Sequence, residues 1–253
     1  MPGNEKDVVK LLLSDLGHIN LMKIGLLLKI QNPSPAGGLQ DLVDLEDLKT
    51  DDSSKKADVY LNGLGVSIKQ SGSSVSYNRL QRASILQLFT NIGLNVGQKI
   101  LGKLDVLVES FHYGRIMGRD RPWSEAFEKK EFKVLLEYLM MFGSGVAGRS
   151  HHPAELILTA PLGVTSAEEM SVETFDEYFE NHSSDIFMSI RRQWVGQGSR
   201  SEHGRALSLQ KKPDNSPWVF SDVQGSPHSG WLSDSDWPIE NRKTVYFISF
   251  TIK

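Results

Sequence analysis

Apolar positions along the 253-residue chain change period several times, and those changes mark its elements. Residues 4–16 predict a helix, with Asn4 suited to the N-cap and Val8, Val9, Leu12 and Leu16 recurring at helical spacing. A second apolar segment runs to Ile30 and stops at Asn32-Pro33-Ser34-Pro35-Ala36-Gly37-Gly38, a loop signal. Leu39, Leu42, Leu45 and Leu48 then recur every three residues among Asp and Glu, which predicts a short acidic helix. Residues 57–61 and 66–70 read as strands flanking Asn62-Gly63-Leu64-Gly65, and Asn-Gly is the strongest short hairpin signal. A helix is predicted from Ser76 to about Ile92, with Leu80, Ala83, Ile85, Leu88 and Phe89 inward. Further helices fit residues 98–111 and 123–142, a buried strand 155–160 and a short helix 172–179. Residues 189–195, 205–211 and 244–253 read as strands, and there is no internal repeat or low-complexity tract. The pattern predicts one α/β domain with a loop-rich C-terminal third.

Composition narrows the class. At 39% hydrophobic, 253 residues bury one sizeable core or at most two small ones. A formal charge of −3 neither demands nor forbids a nucleic-acid partner, because what matters to a polyanion is where the positive charge sits. The absence of cysteine excludes disulfides, thiolate metal sites and a cysteine nucleophile, and fits a reducing cytoplasm. Residues 1–10 alternate charges without an apolar signal region. Residues 19–30 contain Lys23 and Lys29 and are too short to span a bilayer. A soluble, cytoplasmic protein with no membrane partner is expected.

The 57–70 hairpin carries the candidate chemistry. If Asn62 and Gly63 form a two-residue turn, Leu61 pairs with Leu64 and Asp58 falls opposite Ser67. Ser67 and Lys69 share a face because strands alternate. A turn shifted by one residue pairs Asp58 with Lys69 instead, and only a three-residue loop would separate the two. A carboxylate holds a hard cation through oxygen, which suits magnesium. The cation lowers the pKa of water and neutralises charge developing on a phosphate, while a lysine orients or deprotonates that water. The competing explanation is a structural salt bridge across the hairpin. Glu5 precedes Val8, Val9 and Leu12 by three, four and seven residues, which places it on the apolar face of the first helix. Such a carboxylate wants a cation or strong donors, or else is a partly exposed first-turn glutamate favoured by the helix dipole.

Ala57-Asp58-Val59 followed by Val66-Ser67-Ile68-Lys69-Gln70 resembles the two-strand core of the PD-(D/E)XK nucleases, where a glutamate on the preceding helix is common. Within that superfamily the chain is similar to small type II restriction endonucleases that cut short G/C-only sites such as GCGC. The likeness also touches Asn4-Glu5-Lys6-Asp7, the stretch 127–160, Gly204-Arg205-Ala206-Leu207-Ser208-Leu209-Gln210-Lys211 and the closing Phe247-Ile248-Ser249-Phe250-Thr251-Ile252. It implies a mixed central sheet flanked by helices, with a β-rich, loop-rich C-terminal part. Residues 1–253 would form a single nuclease domain, the catalytic core spanning about 1–160 and the DNA-recognition part about 186–253. The resemblance also implies roles. Asp58 would be the principal Mg2+ ligand, the main-chain carbonyl of Ile68 a second, and Glu5 a further one through water. Lys69 would act on the attacking water. One departure stands out: Ser67 occupies the position where the superfamily name expects Asp or Glu, which puts metal affinity and metal number in question.

Residues 189–212 hold six basic side chains, Arg191, Arg192, Arg200, Arg205, Lys211 and Lys212, against one acid, Glu202. That local excess is an electrostatic footprint for double-stranded DNA, with a solvated basic face as the alternative. Gly196, Gly198 and Gly204 allow close backbone approach. Gln193, Gln197, Arg200, Arg205 and Gln210 are side-chain types that read major-groove edges. Arg79 and Arg82 follow the hairpin and would lie over phosphates next to the cut. Other motifs carry less. The Gly143–Gly148 stretch matches a dinucleotide fingerprint by letters but follows a helix, not a strand. His151-His152 before Pro153 reads as an ordinary turn, His18, His203 and His228 are isolated, and Trp218, Trp231 and Trp237 suit a small satellite core. Asn181-His182-Ser183 would accept a glycan only in a secreted protein. The expected function is a type II endonuclease acting as monomer or homodimer. The alternatives are a structure-specific repair or recombination nuclease and a catalytically inactive DNA-binding module.

Overall fold

The computed structural model describes residues 4–34, 38–48, 55–71, 80–112, 115–143, 148–194 and 244–252. In chain order the first elements are α1 (Glu5–Ser14), β1 (Asn20–Leu21), β2 (Gly25–Leu26), β3 (Ile30–Pro33), β4 (Leu39–Asp41), β5 (Val59–Leu61) and β6 (Leu64–Gln70). Then come β7 (Leu80–Gln81), α2 (Arg82–Asn91), α3 (Gly97–His112), β8 (Asp120–Pro122), α4 (Lys129–Glu137) and β9 (Leu156–Ala160). The last are β10 (Ser171–Glu173), α5 (Phe175–His182), β11 (Ile186–Trp194) and β12 (Thr244–Ile252). The chain divides into two compact units, residues 1–77 with 132–185 and 252–253, and residues 78–131 with 186–251. The fold class is mixed α/β.

The first unit is built on a six-stranded sheet of order β10-β9-β6-β5-β3-β4. Only the β6–β9 neighbours run parallel; the other pairs are antiparallel. A parallel pair cannot be closed by a hairpin, so the chain leaves after Gln70 and returns at Leu156 after a long excursion. Between two neighbours, β6 buries Val66, Ser67 and Ile68 in succession, the unbroken burial expected of an inner strand. On one side α1 lays Val8, Val9 and Leu12, each fully buried, into a core with Val59, Leu61, Val66, Ile68 and Leu158. Each such side chain contributes about 1.5–3 kcal/mol on leaving water. Elsewhere in the unit Phe132 of α4 packs against Phe179 of α5 at 6.1 Å between ring centres. The start of α5 is fixed by a capping box, in which Thr174 and Glu177 bond reciprocally.

The second unit pairs α2 with α3 and carries a four-stranded sheet of order β7-β12-β11-β8. Phe127 meets Phe89 and Phe250 edge-on, at 6.2 and 6.1 Å. Among the described residues no helix is long and apolar enough to cross a membrane.

Several local expectations are corrected. The leucine recurrence over 39–48 yields strand β4 and a single 3-10 turn, Leu45–Asp47, instead of an acidic helix. Leu39 is drawn into pairing with Pro33, and only Leu42 of the four leucines is fully buried. Leu80, expected inside a helix, lies in β7 opposite Ile248, and α2 begins only at Arg82. The stretch 123–142 is a 3-10 turn, then α4, then a π-helical turn at Tyr138–Phe142. Val172 belongs to β10 against Leu158, and α5 starts after Thr174. The expected strand 205–211 lies outside the described residues.

Candidate active site

Asn62 and Gly63 adopt positive φ, 49° and 87°, the two left-handed residues of a type I′ turn. The register is therefore Leu61 opposite Leu64, Tyr60 opposite Gly65 and Val59 opposite Val66. Just before the ladder Asp58 donates its amide to the Val66 carbonyl at 2.8 Å, and its side chain meets Ser67. The turn is pinned from outside. Asn62 Oδ1 accepts from the Leu28 and Lys29 amides at 2.9 and 3.1 Å, and its Nδ2 donates to the Leu26 carbonyl at 2.8 Å. A Cβ on Gly65 would collide with the Pro153 carbonyl, so the neighbouring loop packs directly on the backbone of β6.

This register brings Asp58 and Lys69 to the same residue. Asp58 Oδ2 accepts the Ile68 amide at 2.7 Å and the Ser67 hydroxyl at 3.3 Å. Lys69 Nζ donates to the Ile68 carbonyl at 3.3 Å. Among the described residues the two side chains are joined through Ile68, not by a direct ion pair, so the structural salt bridge is not the arrangement found. A carboxylate offers about four lone-pair sites, and the two bonds to Oδ2 leave capacity for a cation.

Glu5, the first residue of α1, is half-buried and completes the group. Burial raises its pKa above the usual carboxylate range, and the like charge of Asp58 adds to this, while Lys69 and Lys55 pull it back. Asn4 does not cap α1 with its side chain, contrary to expectation. Its Nδ2 donates instead to the carbonyls of Ala160 at 2.5 Å and Pro161 at 3.3 Å, which ties the start of the helix to the end of β9.

Two residues that sequence reasoning missed adjoin the group. Lys56 is pulled down to about 8, by burial first and then by the like charge of Lys69, with Asp58 acting the other way. Lys56 and Asp58 both lie at bends ahead of β5, where strand alternation gives no signal. His152, which sequence alone assigns to a plain turn, is buried and accepts the amides of Lys56 and Ala57 on its carbonyl at 2.9 and 3.0 Å. Its Nε2 lies 2.7 Å from the Ser34 carbonyl, which can only accept, so Nε2 carries the proton. Nδ1 then accepts from the Tyr60 hydroxyl at 3.2 Å. No spacing rule in the sequence marks this role.

The other anticipated residues fall elsewhere. Arg82 opens α2, and Arg191, Arg192 and Gln193 lie in β11, all in the second unit. Arg79, Gln197, Arg200, Arg205, Gln210 and Lys211 lie outside the described residues.

Among the described residues no three of His, Cys, Asp and Glu converge as a metal site. The carboxylates of the group are Asp58 and Glu5. With the Ile68 carbonyl they make an all-oxygen donor set. That composition fits magnesium, which is commonly held by one or two carboxylates with water and substrate completing its shell.

No protein-family model and no curated protein matches the chain. Among solved structures it is similar to the restriction endonuclease MspI in complex with its cognate DNA, at 13% identity and a TM-score of 0.27. The match covers 77% of this chain and 64% of that one, so the chain spans less than two thirds of its neighbour, and a likeness so slight carries no conclusion about function.

Proposed function

We propose that the chain is a magnesium-dependent endonuclease that hydrolyses both strands of duplex DNA at a short site, in the manner of a type II restriction enzyme. The observation that carries this reading is the convergence of Asp58 and Lys69 on Ile68, with Glu5 within electrostatic reach. Asp58, the Ile68 carbonyl and Glu5 would hold the cation. When bound, magnesium lowers the pKa of water and offsets charge growing on the phosphate. The Ile68 amide and the Ser67 hydroxyl keep Asp58 oriented. Lys69 steers the attacking water and donates to the phosphate as it gains charge. Water oxygen bonds to phosphorus and gives up a proton to solvent, the bond to the 3′-oxygen breaks, and that oxygen takes a proton from solvent, leaving a 5′-phosphate. Among the described residues there is one such site, so cutting two strands takes two copies or successive encounters. The arginines and glutamines between 189 and 212 would hold the duplex.

Plasmid DNA incubated with the chain and magnesium should give discrete fragments. Chelation should stop cutting, and Asp58→Ala and Lys69→Ala should each abolish it while DNA binding persists. Cleavage that survives both substitutions would overturn the site assignment. One observation favours a second reading: with Ser67 in place of an acid there is no three-ligand cluster among the described residues. Sequence-specific binding without cutting in any divalent cation would establish a DNA-binding module instead.

A further inference from the structure

The registers of the first unit's sheet fix which residues share a face with the candidate site. Val66 and Ile68 of β6 belong to the core that α1 covers, so Ser67 and Lys69 project from the opposite face. The Asp58 carboxylate is on that face too, since it accepts the Ser67 hydroxyl. Beside β6, the parallel strand β9 sets Ile157 against Ser67 and Thr159 against Lys69. The antiparallel strand β10 then sets Glu173 against Ile157 and Ser171 against Thr159. Residues directly opposite each other project to the same side, so two rows cross this face. The first, Ser67, Ile157 and Glu173, is closed. All three are buried, and Glu173 is engaged by Asn181 and His182 of α5. The second, Lys69, Thr159 and Ser171, is open: Lys69 and Thr159 are half-buried and Ser171 is exposed.

Thr159 is the member of the open row next to Lys69, on a strand whose backbone lies about 4.8 Å away. Lys69 turns its ammonium to the Ile68 carbonyl. Among the described residues the Thr159 hydroxyl makes no hydrogen bond, so its proton is available to an acceptor. A hydroxyl and an ammonium side by side can both donate to one oxyanion, and a phosphate offers several oxygens at once. We propose that the Thr159 hydroxyl donates to a non-bridging oxygen of the substrate phosphodiester, beside Lys69; this assignment rests on the nuclease function proposed above. Such a bond strengthens as the phosphate gains charge, so it acts on the rate more than on binding. The competing explanation is a β-branched residue that merely fits a half-buried pleated surface.

Valine keeps the shape of threonine and lacks only the hydroxyl, and serine returns the hydroxyl. With magnesium and the protein in excess over plasmid, the single-turnover rate of cutting should fall by about tenfold in Thr159→Val, the scale of one hydrogen bond to a charged group. It should recover to within about threefold of wild type in Thr159→Ser. Without divalent cation, affinity for a short duplex oligonucleotide should fall by about threefold in Thr159→Val and recover in Thr159→Ser. The slope of log affinity on log salt should keep its wild-type value in both, because a neutral group releases no counterion. Circular dichroism verifies the fold of each variant. A folded Thr159→Val with wild-type affinity and wild-type cutting overturns this assignment and leaves the nuclease reading standing. So does a Thr159→Ser that fares no better than Thr159→Val. A wild-type chain that neither binds nor cuts duplex DNA overturns the nuclease reading and this assignment with it.

Discussion

At the scale of single residues, the candidate site is a place where charge is held at a cost. Burial and Asp58 both oppose the ionisation of Glu5, so its folded-state pKa lies above the unfolded value. For an acid this means the folded state binds more protons than the unfolded one between the two pKa values, and stability falls as pH rises through that window. Below the unfolded value both states are protonated and the cost vanishes. Glu5→Gln should therefore raise the melting temperature at pH 7 without divalent cation by roughly 1–2 °C, the scale of a partly screened charge, and change nothing at pH 3. Magnesium should stabilise wild type more than the variant. A lower melting temperature for Glu5→Gln at pH 7 would mean that the carboxylate fastens α1 instead of straining the site. Ser67 offers the converse change, being 2% exposed and bonded to Asp58. Ser67→Asp places a second buried negative charge beside Asp58. Without metal it should cost about 3 kcal/mol, and with metal it should tighten magnesium binding, measured by calorimetry, by about tenfold or more. Unchanged magnesium affinity would remove residue 67 from the metal environment.

At the scale of elements, the hairpin depends on a turn whose two residues are chosen by backbone angle. Asn62 sits at φ 49° and spends its side chain on the backbone of Leu26, Leu28 and Lys29. Asn62→Ala keeps the strained angle and loses those bonds, and should cost about 2 kcal/mol, or a fall of roughly 4–8 °C in melting temperature. Loss of less than 1 °C would show that the turn holds its shape without the side chain. The same locality made the hairpin legible from sequence: Asn-Gly dictates the turn, and the turn dictates the register that sets Val59 against Val66, the neighbours of Asp58 and Ser67. What was not legible is set by distant partners. Leu39 and Leu80 carry helical spacing, yet β3 and β12 supply backbone pairing that a repeat of leucines cannot reveal. The strand at Val172 is likewise fixed by its pairing with Leu158. In the site, Glu5 was readable from its helical phase, whereas His152 braces Lys56 through a main-chain carbonyl, a role independent of side-chain type.

At the scale of the whole molecule, charge decides how a polyanion is drawn in. The net charge of −3 repels DNA at long range, so association depends on local excess, and residues 189–212 hold six cations against one acid. Arg191 and Arg192 belong to β11 in the second unit, whereas Glu5, Asp58 and Lys69 belong to the first. Binding and metal response should therefore separate by mutation. Arg191→Ala with Arg192→Ala should lower the slope of log affinity on log salt by about two, one per phosphate contact, and weaken binding at low salt by one to two orders of magnitude. Any rise in melting temperature that magnesium gives should stay at the wild-type value, because none of the proposed donors to the cation has been touched. A slope that does not change would take these arginines off the DNA. Loss of the magnesium response in a variant that retains its circular dichroism would show that the two units act as one in holding the metal, and the division of labour between strand β11 and the hairpin would then have to be given up.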